Sequence, residues 1–136
     1  QIGLVRQKPY LKSGNLLNLI LGNEININMK NALKEAKYFA KLACIEEFIE
    51  SLPFGYMQPI NEDGNTLSGG QIQRIAIASK LALKPSLLIL DESTSGVDKA
   101  TETNFFENIF KLKNLTVVAI SHSSNVESLF SKKITF

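Results

Sequence analysis

Two short runs in this chain carry the residue types best suited to chemistry: Leu67-Ser68-Gly69-Gly70-Gln71 and Leu87-Leu88-Ile89-Leu90-Asp91-Glu92. In the first, Ser68 can cap a helix, and Gly69 and Gly70 allow a backbone to approach a ligand closely. The N–H groups of a helix start attract anions, so this run reads as a phosphate grip. In the second, an apolar strand delivers Asp91 and Glu92 to its carboxyl end, where open α/β sheets bind ligands. Neighbouring strand residues point to opposite faces, so both carboxylates can serve one ligand only where the chain turns. A strand-end aspartate suits Mg²⁺, which is held through one or two carboxylates plus phosphates. The adjacent glutamate can orient or deprotonate a water, an effect worth roughly 10²–10⁴-fold in rate. Either run alone also occurs as a plain helix cap or a strand-end turn; their pairing at this separation is what points to one engine. None of the eight glycines precedes a lysine, so the chain contains no G-x-x-x-x-G-K-[ST] phosphate loop.

The elements that must position these groups divide into a helical front and an α/β back. Residues 1–6 can end a strand. Residues 15–21 are crowded with leucine and isoleucine and predict a short buried helix; residues 23–28 are polar and turn-like. Asn31 is the expected cap of a helix running to about residue 43, with Leu33, Ala36, Tyr38, Ala40 and Leu42 along it, and residues 45–51 add another turn or two. Proline and glycine punctuate a loop over residues 52–66. A helix capped by Ser68 runs to about residue 83, with Ile72, Ile75, Ala76, Ser79 and Leu83 on its apolar or small-residue face. Residues 87–90 form a continuous apolar strand of the kind buried on both faces. Asp98 begins the next helix, with Phe105, Phe106, Ile109 and Phe110 on its core side. Residues 116–120 form a second apolar strand, residues 125–130 a helix, and residues 134–136 a last short strand. The alternation after Pro85 predicts a parallel sheet.

Composition narrows the function. Length 136 fits one domain with a real core. Fifteen Lys and Arg against 13 Asp and Glu leave a charge of +2, too weak a bias for a nucleic-acid partner. Lys30, Lys34, Lys37 and Lys41 recur at helical spacing, as a solvated face does. One cysteine excludes an internal disulfide, and one cysteine with one histidine cannot fill a tetrahedral site. Cys44, inside an apolar run, reads as a small buried side chain. No apolar run reaches the 18 or more residues that span a bilayer, so a membrane role would need a span supplied elsewhere.

The ordered motifs resemble the ABC-type ATPases. Residues 67–71 match that family's signature motif and residues 87–92 its Walker B motif. Ser95-Gly96-Val97-Asp98 is similar to the D-loop, His122 stands where the switch histidine belongs, and Gln7 fits the Q-loop glutamine. Residues 60–64 resemble the X-loop of exporter-type members, and residues 15–22 and 52–66 are most similar to the bacteriocin, peptide or multidrug exporter branch. The resemblance departs at Ile72 and Ser79, where many members have arginine, at Gly96-Val97 in the D-loop, and at Asn61 in the X-loop.

The resemblance implies an α/β fold: a partial P-loop NTPase (ABC ATPase) with a helical signature subdomain and part of a mostly parallel RecA-like sheet. Residues 1–9 would end a core strand and form the Q-loop, residues 10–84 the helical subdomain, and residues 85–136 the C-terminal part of the ATPase core. It implies ATP and Mg²⁺ as ligands. Glu92 would be the general base, His122 would contact the γ-phosphate, and Gln7 would touch the metal or the attacking water. Asp91 would hold Mg²⁺. Ser68, Gly69, Gly70 and Gln71 would serve ATP held on an opposite subunit, Asp98 would lie across the dimer interface, and Glu62 would face the transporter's coupling helices. The implied partners are a second nucleotide-binding domain, identical or not, and a transmembrane domain at the cytoplasmic face of a cell membrane. The missing phosphate loop and adenine-stacking aromatic imply a longer polypeptide extending before Gln1. The 136 residues alone are then expected to bind ATP weakly, with an open edge on the strand at 116–121. A non-hydrolysing module that lends Ser68–Gln71 to another subunit is the alternative. An ATPase of chromosome maintenance is disfavoured by the short spacing between Gln7 and Ser68.

Overall fold

The computed structural model describes residues 1–22, 28–62 and 66–134. In chain order the elements are β1 (Ile2–Val5), β2 (Gly14–Asn15), α1 (Leu16–Leu21), α2 (Met29–Leu42), α3 (Glu46–Ser51), a single 3₁₀ turn (Gly55–Met57), β3 (Pro59–Ile60), α4 (Gly69–Ala82), β4 (Leu87–Asp91), α5 (Lys99–Phe110), β5 (Thr116–Ile120) and α6 (Ser124–Leu129).

Local chemistry sets most of the helix starts. Ser68 caps α4 with a complete capping box: its Oγ accepts from Gln71 N–H at 3.2 Å, and Gln71 Oε1 accepts from Ser68 N–H at 2.8 Å. Asp98 caps α5 and Asn15 caps α1. The cap of α2 is Asn28, not Asn31. Asn31 is the third helical residue, and its N–H is the orphan donor that Asn28 Oδ1 accepts at 2.9 Å. The lysines at 30, 34, 37 and 41 are all exposed, and Lys37 Nζ meets Glu50 Oε1 at 2.8 Å.

The core faces differ in detail from the predicted ones. Helix α4 packs against α1, α2 and β1 together. More than one stripe of it is therefore covered: Gly70, Gln73, Ile75, Ala76, Ile77, Ala78 and Leu81 are buried, Ile72 and Ser79 half-buried, and Leu83 exposed. On α2 the buried stripe is Ala32, Ala36, Phe39 and Ala40, which leaves Tyr38 outside. At the end of α5, Phe110 is exposed and rests edge-on against Phe130, whereas Phe105, Phe106 and Ile109 enter the core.

Strands β1, β4 and β5 form a parallel sheet in that order, with Val5 opposite Leu90 and Asp91 opposite Ile120. Strand β4 is not buried on both faces as predicted. Leu88 and Leu90 are sealed, while Leu87, Ile89 and Asp91 are only half-covered. The helices cover one side of the sheet, and on the other Ile2, Leu4, Val118 and Ile120 are exposed. Among the described residues β5 is an edge strand, as expected. Residues 52–66, predicted as a loop, contain the 3₁₀ turn and β3, which pairs antiparallel with β2 (Gly14↔Ile60, Asn15↔Pro59). The predicted turn at 23–28 lies outside the described residues except for Asn28. The predicted last strand, at 134–136, is absent at Ile134, which is exposed and in no strand; residues 135 and 136 lie outside the described residues. Among the described residues no helix is long and apolar enough to cross a membrane.

Candidate functional site

The site is built on the carboxyl ends of three adjacent parallel strands. Gln7 follows β1, Glu92 follows β4 and His122 follows β5, so the strand order β1-β4-β5 places Glu92 between the other two. At Glu92 the chain turns sharply: its φ is 46°, in the left-handed region that costs a non-glycine residue roughly 1–2 kcal/mol. The turn is held by the Glu92 N–H, which donates to Ile120 O at 2.9 Å and so extends the β4–β5 pairing by one bond.

The redirected carboxylate joins the two flanking loops. Gln7 Nε2 donates to Glu92 Oε2 at 2.8 Å, and His122 Nε2 lies 3.3 Å from Glu92 Oε1. The His122 side chain is 89% exposed and that of Glu92 29%, so the histidine is presented to solvent from a better-anchored partner. Asp91, the last residue of β4, is half-buried beside them. Three of the predicted residues, distant in sequence, are thereby brought together.

The glycine run stands at the start of α4. No hydrogen bond joins residues 68–71 to Glu92 or His122 among the described residues. Ser68 and Gly69 are exposed at the tip of α4, and a β-carbon on Gly69 would meet nothing within 4 Å. Gly70 differs: it is buried against Gly96. The Gln71 side chain is engaged in the capping box. Asp98 is likewise engaged locally, its Oδ1 accepting from Thr101 N–H at 3.0 Å and its Oδ2 from Thr101 Oγ at 2.7 Å. These bonds, the backbone one first, hold its carboxyl below the usual range. Glu62 is exposed in the turn that precedes residues 63–65.

Two residues with structural leverage on the site were not singled out from sequence. Glu102, buried on α5, accepts from Thr94 Oγ1 at 2.7 Å through Oε1, and from Asn125 Nδ2 at 3.0 Å and Ser123 Oγ at 3.3 Å through Oε2. It ties the loop after Glu92 to the loop after His122. Gln73, buried on α4, donates from Nε2 to Gln7 O at 3.0 Å and accepts the Gly96 N–H on Oε1 at 3.4 Å. The only sequence signal for either is helical spacing: Glu102 lies four residues beyond the cap Asp98, and Gln73 three beyond Gly70. Cys44 is half-buried, and burial pushes its thiol pKa up, as suits a packing residue rather than a nucleophile.

The donor set bears on Mg²⁺. Among the described residues no cluster of three or more His, Cys, Asp or Glu could hold a metal alone. Mg²⁺ needs no such cage, since it retains water and takes phosphate oxygens with one or two protein carboxylates. Asp91 supplies a carboxylate. Gln7 engages Glu92 through its nitrogen, which leaves its amide oxygen, the atom a hard cation takes, out of that bond. The residues present fit the ion.

Comparison with known proteins identifies the family. A family model described as "ABC transporter" matches residues 1–95. The chain belongs to the ABC transporter family. It is 37% identical over 129 residues to the lactococcin-A transport/processing ATP-binding protein LcnC of Lactococcus lactis subsp. lactis, covering 94% of this chain and 17% of that protein. It is 42% identical over 125 residues to the multidrug resistance-like ATP-binding protein MdlA of Buchnera aphidicola subsp. Schizaphis graminum, covering 90% of this chain and 21% of that one. A solved bacterial Atm1-family ABC exporter with ATP bound superposes with a TM-score of 0.81 at 31% identity, covering 92% of this chain and 21% of the exporter chain. The chain therefore spans about a fifth of the length of these relatives and is part of the nucleotide-binding domain of an exporter-branch ABC protein.

Proposed function

We propose that these residues act within a complete ABC exporter to couple ATP binding and hydrolysis, at an interface between two nucleotide-binding domains, to export across a membrane. The observation that carries this reading is the convergence of Gln7 and His122 on the Glu92 carboxylate at the ends of three neighbouring parallel strands. A carboxylate held from two sides has a fixed orientation, which is what a general base needs to accept a proton from an attacking water. Gln7 orients that carboxylate from the β1 side. His122, whose side chain is 89% exposed, would turn from Glu92 to donate to a phosphate oxygen when ATP is bound. Asp91 and the Gln7 amide oxygen would hold Mg²⁺, which would supply charge neutralisation to the phosphates.

Ser68 and Gly69, exposed at the start of α4, would offer their end of the helix to ATP held mainly by a second nucleotide-binding domain, with Gly70 and Gln71 shaping that end. Asp98 would lie at the same interface. Within this reading residues 1–9, 10–84 and 85–136 divide into the Q-loop strand, the helical subdomain and the C-terminal ATPase core. Glu62 would face a transmembrane domain, which would hold the assembly at the cytoplasmic face of the membrane.

The test is Glu92→Gln in the complete transporter. ATP hydrolysis should fall at least a hundredfold while ATP binding persists, a loss of the size general-base catalysis supports. Unchanged hydrolysis would instead make the chain a module that lends its α4 tip to a partner's ATP.

A further inference from the structure

We propose that Gln73 is a positioning residue: its amide pins the Gln7 backbone so that the Gln7 side chain meets Glu92, and it ties that pin to the start of α4 and to the loop at Gly96. The proposal rests on the reading of Gln7 and Glu92 as a catalytic pair and adds a residue outside that pair.

Gln73 is a polar side chain in a core position, 6% exposed on a helix whose buried neighbours are alanine, isoleucine and leucine. A buried primary amide is tolerated when both its ends are paired. Here the nitrogen donates to Gln7 O at 3.0 Å and the oxygen accepts from Gly96 N–H at 3.4 Å. From the pinned carbonyl the Gln7 side chain runs on to Glu92 Oε2 at 2.8 Å. The path from α4 to the carboxylate is therefore two hydrogen bonds and one residue long.

The same face of α4 presents Gly70, one turn before Gln73. The absence of a side chain at Gly70 lets the Gly96 carbonyl lie flush on the helix, with Gly96 N–H within reach of Gln73. The three segments thus meet at one junction. Because α4 is a continuous 14-residue helix, its exposed tip at Ser68–Gly69 and the Gln73 amide shift together. A displacement of the tip on meeting a ligand reaches Gln7, and through it Glu92, by way of one amide group.

The experiment is a double-mutant cycle in the complete protein, pairing Gln73→Met, similar in length and apolar, with Gln7→Ala. Gln73→Met alone should lower kcat for ATP about tenfold with KM within twofold. In the Gln7→Ala background it should cost less than twofold, because the side chain it positions is gone. A full, independent tenfold loss in that background would overturn the proposal, since a residue that only supports the fold adds its effect. Gln73→Leu serves as the second variant, and failure of both to fold would also overturn it by making Gln73 a folding determinant. The failure of the functional reading is separable: it would appear as hydrolysis unaffected by Glu92→Gln. In that case the crystal structure of the Gln73→Met protein still decides, because loss of the Gln7–Glu92 hydrogen bond is required and its retention at 2.8 Å would refute the positioning role.

Discussion

Gly70 and Gly96 touch through their backbones: a β-carbon placed on Gly70 would stand 2.5 Å from the Gly96 carbonyl oxygen and 3.3 Å from its carbonyl carbon. The two glycines of the Ser68-Gly69-Gly70 run are therefore not equivalent. Gly70 is required by packing against a neighbouring loop, whereas Gly69 faces open space and is available to a ligand.

That difference predicts opposite behaviour on substitution. Gly70→Ala must push the loop at 95–97 away and should cost about 1–3 kcal/mol, as overpacking does. Gly69→Ala should change stability by less than about 0.5 kcal/mol. It should nonetheless lower ATP-dependent activity if the α4 tip receives phosphate. Urea unfolding midpoints of the two variants, beside their hydrolysis rates, check both statements.

Glu102 supplies a second contrast. Glu102→Ala strips the acceptor from Thr94, Ser123 and Asn125 at once and should cost about 3 kcal/mol, the scale of leaving buried donors unpaired. Glu102→Gln keeps one acceptor oxygen and turns an N–H toward a donor, so about half that loss is expected. Denaturant unfolding measures both, and equal stability of the two variants would contradict the network.

Asp98 links stability to pH. Its folded pKa is depressed by the hydrogen bonds from Thr101, so its contribution is present above the unfolded-state value and is lost as pH falls through the folded one. The window lies below about pH 4, the ordinary carboxylate range. Asp98→Asn retains an N-cap and removes the titration. Between pH 5 and 2 its thermal midpoint should therefore fall less steeply than that of the native chain. Parallel curves would mean that Asp98 gains nothing from ionisation.

Legibility in the sequence followed the range of the interactions concerned. The caps Ser68 and Asp98 and the strand at 87–90 were readable because each depends on residues within one turn or one strand. The two-residue strands β2 and β3 were not, since two residues show no period, and their pairing joins segments far apart in the chain. Asn28 displaced Asn31 as a cap because a cap is defined by dihedral angles that composition does not specify. Leu83, Tyr38 and Phe110 read as core by type, but the packing of neighbouring elements left them outside.

For the site, residue types and order alone singled out Asp91 and Glu92 as one chemically able set and Ser68, Gly69 and Gly70 as the other, and the family likeness added Gln7 and His122. Sequence also carried the family likeness, because its motifs are short and contiguous. Tertiary structure decided which of these groups meet. The strand order put Glu92 between Gln7 and His122, and a left-handed turn at Glu92 aimed its carboxylate at both. It also decided that Gln73 and Glu102, ordinary polar helix residues on paper, are buried and hydrogen-bonded to distant segments. The reason is physical: a hydrogen bond of about 3 Å between distant segments exists only after the sheet and its helices have packed, and burial is a property of that packing rather than of any residue in it.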